Sequence, residues 1–167
     1  MKIILSALLI ILQLAAFAQN NSITNAEFKA LVGNWTGTSV NTVSGGAVNQ
    51  ITLSVVLDVV DLKDSLQFNF TYTAPGGIQT TETNFLYVYN NSSKLSFDSA
   101  QFDIAEVRRR GVRLSIYAER EGYDNYKPVD FQDILIIGPG ILNITKGIRS
   151  GEAVDFAIRK RLTLTKK

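Results

Sequence analysis

The sequence predicts an all-β fold: an antiparallel up-and-down meander of eight to ten strands that closes into a barrel, with one short helix ahead of the first strand. Three observations predict it. Apolar and polar residues alternate with a period of two along most of the chain. Clusters of Gly, Pro, Asn, Asp and Ser break that alternation at short, regular intervals. The connections are too short for the crossovers of a dozen or more residues that parallel neighbours need. Closure removes the unpaired edges a flat sheet would offer to other chains. A two-sheet sandwich, which needs the same alternation, is the alternative.

The amino terminus reads as a targeting segment. Lys2 is followed by the apolar run Ile3 to Leu12, and Ala16-Phe17-Ala18 carries the small residues that signal peptidase reads. The apolar run is shorter than the roughly 20 residues of a spanning helix. Residues 1–18 are therefore expected to be a signal peptide and 19–167 a single domain, secreted or periplasmic. Removing Lys2 lowers the formal charge from +2 to +1. The chain has no cysteine. No lipid-modified cysteine can follow the signal, and the domain must hold by burial and backbone pairing without disulfides.

Thr24 or Asn25 can cap a helix near Asn25 to Leu31, and Gly33 can end it in a left-handed turn. Strands follow at about 34–43, 49–60, 65–74, 78–90, 94–98, 101–109, 112–121, 130–137, 141–148 and 153–165. In the second, Ile51, Leu53, Val55, Leu57 and Val59 share a face; in the third, Leu66, Phe68, Phe70 and Tyr72 do; in the seventh, Val112, Leu114, Ile116 and Ala118 do. Val154, Phe156 and Ile158 begin the last. Turn signals stand between them, among them Ser44-Gly45-Gly46, Pro75-Gly76-Gly77 and Gly138-Pro139-Gly140. The longest polar connection is Arg120 to Phe131, long enough to cover a barrel mouth.

The stretch "ALVGNWTGTSV" places the single tryptophan, Trp35, two residues after Gly33 at the head of the first strand. A short helix running into Gly-x-Trp resembles the signature of the lipocalin and calycin barrels and of bacterial lipocalin-like secreted domains. That resemblance implies that the helix plugs one barrel end and that Trp35 packs there beneath an arginine from the last strand. Arg159 and Arg161 in "FAIRKRLTL" stand where that arginine is expected, so Gly33, Trp35, Arg159 and Arg161 are the residues expected to close the barrel. A guanidinium on an indole gains cation–π attraction while its donors bond strand-end carbonyls.

Composition excludes several chemistries. With no histidine and no cysteine, neither a Ser-His-Asp nor a Cys-His arrangement can be built, and zinc loses its favoured ligands. The haem-binding relatives of the lipocalin-like barrels use a histidine, which this chain lacks. No cofactor and no metal is expected. Glu119 with Glu121 and Asp130 with Asp133 are the available carboxylate pairs, read here as solvated surface. Arg108, Arg109, Arg110 and Arg113 surround a hairpin tip and, against a near-neutral total charge, form a soluble rim that gives no case for nucleic acid. A membrane-spanning barrel would place apolar residues outside and polar residues inside. "LSVVLDVV" and "DILIIG" instead carry apolar residues on both faces, so no membrane insertion is expected.

If the barrel holds a ligand, it does so inside. Phe68, Phe70, Tyr72, Tyr87 and Tyr117 are the candidate ligand residues: bulky apolar surface with a few hydroxyls. The expected function is a lipocalin-like binding protein for a small hydrophobic or amphipathic molecule. The alternatives are an envelope scaffold with a filled barrel, and a small enzyme using carboxylates or tyrosines.

Overall fold

A computed structural model describes residues 22–43 and 49–167. The expected signal peptide, residues 1–18, and the turn Ser44-Gly45-Gly46 lie outside the described residues. A 3₁₀ helix, Asn25–Leu31, precedes ten strands: β1 (Gly33–Val43), β2 (Asn49–Asp61), β3 (Leu66–Thr73), β4 (Gln79–Tyr89), β5 (Lys94–Phe97), β6 (Ala100–Arg110), β7 (Arg113–Asp124), β8 (Lys127–Gly138), β9 (Ile141–Ser150) and β10 (Ala157–Lys166). Each strand pairs with its neighbour in sequence, and β1 pairs antiparallel with β10, closing the barrel.

The inward face follows the period of two. Val55, Leu57 and Val59 of β2, Phe68 and Phe70 of β3, Ile116 and Ala118 of β7, and Leu162 and Leu164 of β10 are all buried in one core. Closure between β1 and β10 depends on Gly37, which pairs with Leu164. A methyl group there would fall inside the Thr163 carbonyl oxygen, so the two backbones can approach only at a residue without a side chain.

Two boundaries differ from expectation. Strands β7 and β8 run on to Asp124 and back from Lys127, so most of Arg120 to Phe131 is hairpin rather than connection. The turn is only Asn125-Tyr126, both with positive φ (49° and 64°), the twist that two-residue hairpins favour. Conversely, β10 begins at Ala157, and Val154 and Phe156 lie before it. Phe156 packs over Gly147, where a side chain would collide with it.

One barrel end is sealed. Thr24 N–H donates to the Glu27 carboxylate at 2.9 Å, and Glu27 in turn accepts from Arg109 Nε at 2.9 Å, pinning the helix to the β6–β7 hairpin. Asn25 joins the β2–β3 turn to the end of β4, donating to the Asp64 carbonyl (3.3 Å) and accepting from the Val88 N–H (3.2 Å). Phe28, Leu31 and Trp35 fill the space beneath.

Candidate functional site

The end opposite the helix is where polar side chains enter the barrel. The cause lies in three local departures from the apolar alternation. Strand β5 is only four residues long and turns at Asp98-Ser99, both with positive φ, which brings the Asp98 carboxylate to the top of the wall. In β8 and β9, Asp133 and Lys146 pair at inward positions. In β10, Lys160 keeps the inward parity of Leu162 and Leu164, while a bulge between Ile158 and Lys160 breaks the alternation on its amino-terminal side and leaves Ile158 exposed.

These groups meet across the lumen. Lys146 Nζ lies 2.6 Å from Asp98 and 3.2 Å from Asp133, joining β9 to the β5–β6 turn on the far side, and stands 5.1 Å from the Phe97 ring centre. Lys160 Nζ donates to the Tyr72 hydroxyl at 3.0 Å and stands over its ring, linking β10 to β3. Arg120, from β7, stacks on Phe131 (3.9 Å) and faces Phe102 (5.4 Å). Gly122 leaves the room for this, since a side chain there would strike both Arg120 and Phe131. Arg159, the extra residue of the bulge, reaches Asp124 at 3.6 Å past the two intervening strands.

Between these side chains lies a hollow of about 260 Å³ lined by Asp98, Phe102, Arg120, Phe131, Lys146 and Lys160 among others. Ionisation in it is governed by burial against charge. Burial outweighs Lys146 at Asp133 and lifts its carboxyl above the ordinary range. At Asp98 burial works the same way, but the Lys146 ammonium overcomes it and holds the carboxyl low. Burial opposes the charge on Lys146 too, yet Asp133 and Asp98 together raise it. Lys160 is pulled down by burial, which Glu82 offsets only in part. Burial, with Glu82 and Asp98 nearby, pushes the Tyr72 phenol well up and keeps it neutral.

Of the residues expected to bind a ligand, Phe68, Phe70 and Tyr72 point inward. Phe68 packs edge-on against Phe97 (5.5 Å), Phe70 stacks on Tyr72 (5.5 Å, 14°), and only Tyr72 reaches the polar layer. Tyr87 and Tyr117 do not join them. Leu86 in β4 and Ile116 and Ala118 in β7 take the inward positions, so Tyr87 pairs with Tyr89 and Tyr117 lies under Arg108 (4.8 Å) on the outside. Asp130 and Asp133, three apart, fall on opposite faces: Asp130 pairs with Arg149 at 2.8 Å and Asp133 points inward. Glu119 accepts from Gln132 across the β7–β8 pairing.

The closing cation is also different. Trp35 is 1% exposed, and Lys166 rather than an arginine stands over its ring at 5.5 Å, with Nζ bonded to the Ala30 carbonyl at 3.0 Å. Gly33 has φ +119°, and a side chain on it would press on Lys166. The register explains why the arginines miss: Trp35 pairs with Lys166, Arg161 pairs with Val40 further along the strand and is exposed, and Arg159 lies beyond it, reaching Asp124. Sequence reading missed Lys146, Lys160, Arg120 and Asp98. A charged residue in an otherwise apolar alternating row, as Asp133 is in "VDFQDILII", was the available signal.

A wider, shallower groove of about 530 Å³ borders the sealed end, against Glu27, Arg109, Val112 and Pro139. It lies outside the barrel; of its charged residues Glu27, Arg109, Arg113 and Lys166, Glu27 and Arg109 are paired with each other and Lys166 is bonded to the Ala30 carbonyl. The inner hollow is the better candidate.

No protein-family model matches the chain, and no curated protein matches it. Among solved structures the chain is similar to the crystal structure of Rv2717c from M. tuberculosis: TM-score 0.60 at 13% identity, over 87% of this chain and 99% of that one. The likeness is one of fold.

Proposed function

We propose that this protein is a secreted or periplasmic lipocalin-like binding protein that holds one small amphipathic molecule in the open end of its barrel. The observation that carries this reading is the makeup of the 260 Å³ hollow: Ala100, Phe102, Phe131 and Ile148 supply apolar wall, and charged side chains from β7, β9 and β10 face the same space. Ligand sites typically combine a mostly apolar lining with a few convergent polar groups. The hollow is smaller than the ~300–1,000 Å³ common for drug-sized ligands, which favours a compact molecule.

Secretion rests on the tripartite pattern of residues 1–18. Solubility is supported by the barrel's polarity. Its inward side is apolar through most of its height, while Gln67, Asn69 and Thr71 in β3 face outward, the inverse of a membrane-spanning barrel.

Native mass spectrometry of the protein from its own envelope, before and after denaturation, tests the reading. A released molecule at one equivalent supports it, and amino-terminal sequencing should begin at Gln19. A second reading, an interaction scaffold, is favoured by the exposed apolar tips beside the open end, where Tyr126 is 99% and Val154 85% exposed. A protein that releases nothing, binds no added amphiphile and copurifies with one partner through those tips would favour the scaffold.

A further inference from the structure

We infer that the ligand of the open-end hollow is an organic anion, a compact carboxylate held between Lys160 and Arg120. The inference rests on the binding-protein reading and assigns the chemistry of its ligand.

It rests on where the negative charges of the chain lie. All fifteen carboxylate side chains lie among the described residues. Two of those lining the hollow, Asp98 and Asp133, are both taken by Lys146. Asp124 takes Arg159. Lys160 and Arg120 line the same hollow with no carboxylate within ion-pairing distance; Glu82 acts on Lys160, and Arg120 on Asp133, only from further off. Lys160 has one hydrogen bond, to the neutral Tyr72 hydroxyl. Arg120 is more exposed to the cost, because its Nε is buried and has no hydrogen-bond partner. Burying a charged donor without an acceptor is among the more expensive arrangements in a protein. Lys160 and Arg120 come from β10 and β7, which are not neighbours in the barrel, and each is held in place by its own contacts: a tyrosine for one and two phenylalanines for the other.

The geometry selects the kind of anion. Stacking on Phe131 occupies a face of the guanidinium and leaves its planar N–H edge as the recognising element, which matches a planar carboxylate. A single ammonium from Lys160 can meet the second oxygen. The apolar body of the ligand would then lie against Phe102, Phe131 and Ile148.

The test uses three probes of one shape, hydrocinnamate, phenylpropanol and phenylpropylamine, titrated into the mature protein and followed by nuclear magnetic resonance. Hydrocinnamate is expected to bind at least ~10-fold more tightly than the alcohol, the factor a charge-assisted hydrogen bond provides, and the amine more weakly still. Lys160→Met and Arg120→Gln should each remove most of the preference for acid over alcohol; Arg161→Gln, on the outer face, should change nothing. Equal affinity for acid and alcohol would overturn the anion assignment and leave the binding site standing. Absence of binding by all three would overturn both. Because the comparison of probes needs only the unmodified protein, the result stands even if a variant fails to fold.

Discussion

The indole N–H of Trp35 in β1 donates at 2.7 Å to the carbonyl of Leu31, the last residue of the 3₁₀ helix, four positions earlier in the chain. That single bond ties the plug to the barrel wall from inside the core. It satisfies one carbonyl at the helix end, where intrahelical partners run out, and fixes the ring beneath Lys166.

Trp35→Ala should therefore cost ~3–5 kcal/mol of stability, the range for losing a buried large aromatic. Trp35→Phe keeps much of the apolar volume but strands the Leu31 carbonyl, at about 1–3 kcal/mol. Urea denaturation followed by circular dichroism measures both. Affinity at the open end should be unchanged in whatever fraction folds; a folded Trp35→Ala protein that has lost binding would instead place the tryptophan in the site.

Gly37→Ala should disrupt closure. Its methyl group would meet backbone rather than a movable side chain, so the loss should reach the top of the ~1–3 kcal/mol range for overpacking or exceed it. Gly76→Ala, with open space around it and no positive φ, should stay within about 0.5 kcal/mol. The difference between the two in thermal midpoint is the measurement.

Lys146→Met should destabilise by ~3–5 kcal/mol, because it leaves Asp98 and the buried Asp133 facing one another without a cation. Lys160→Met should do the opposite and stabilise by about 1 kcal/mol: it removes a partly buried charge whose burial Glu82 offsets only in part, a cost retained for binding. If Lys160→Met proves as damaging as Lys146→Met, Lys160 is structural.

Acid should weaken the protein through Asp98. Its carboxyl is held below the ordinary 3.8 once Lys146 overcomes burial, so its contribution is complete above that value and is lost as the pH falls below it. Asp133, lifted above 3.8 by burial, has the opposite sign: its folded form keeps its proton longer, and stability falls as pH rises from 3.8 toward its raised value. Asp98→Asn should thus show a smaller loss of stability on acidification than the unmodified protein, and Asp133→Asn a larger one. Chemical denaturation between pH 3 and 7 compares them.

Much of the barrel was legible because half-buried strands repeat every two residues, and that period survives in β2, β3, β7 and the end of β10 without reference to anything distant. The same rule failed where the period breaks. Arg159 and Arg161 look like neighbours on one face, but the bulge at Ile158/Lys160 inserts a residue and sends them apart. Tyr87 and Tyr117 look like lumen residues by type, and only the parity of Leu86, Ile116 and Ala118 puts them outside. The Arg120 to Phe131 segment is polar and looked like a loop, yet cross-strand pairing with β8 extends β7 through it.

By itself the sequence determined an all-β barrel with a short leading helix, a buried tryptophan at its start and a chain unable to use histidine or cysteine chemistry. Those follow from local periodicity, turn residues and composition, which each segment carries alone. Only the tertiary structure decided that Lys146 bridges Asp98 and Asp133 across the lumen, that Lys166 covers Trp35, and that Lys160 and Arg120 line one hollow. The physical reason is closure. Bringing β1 against β10 makes neighbours of residues up to 136 positions apart, as Ala30 and Lys166 are, and a charge's partner across a barrel leaves no periodic trace along the chain.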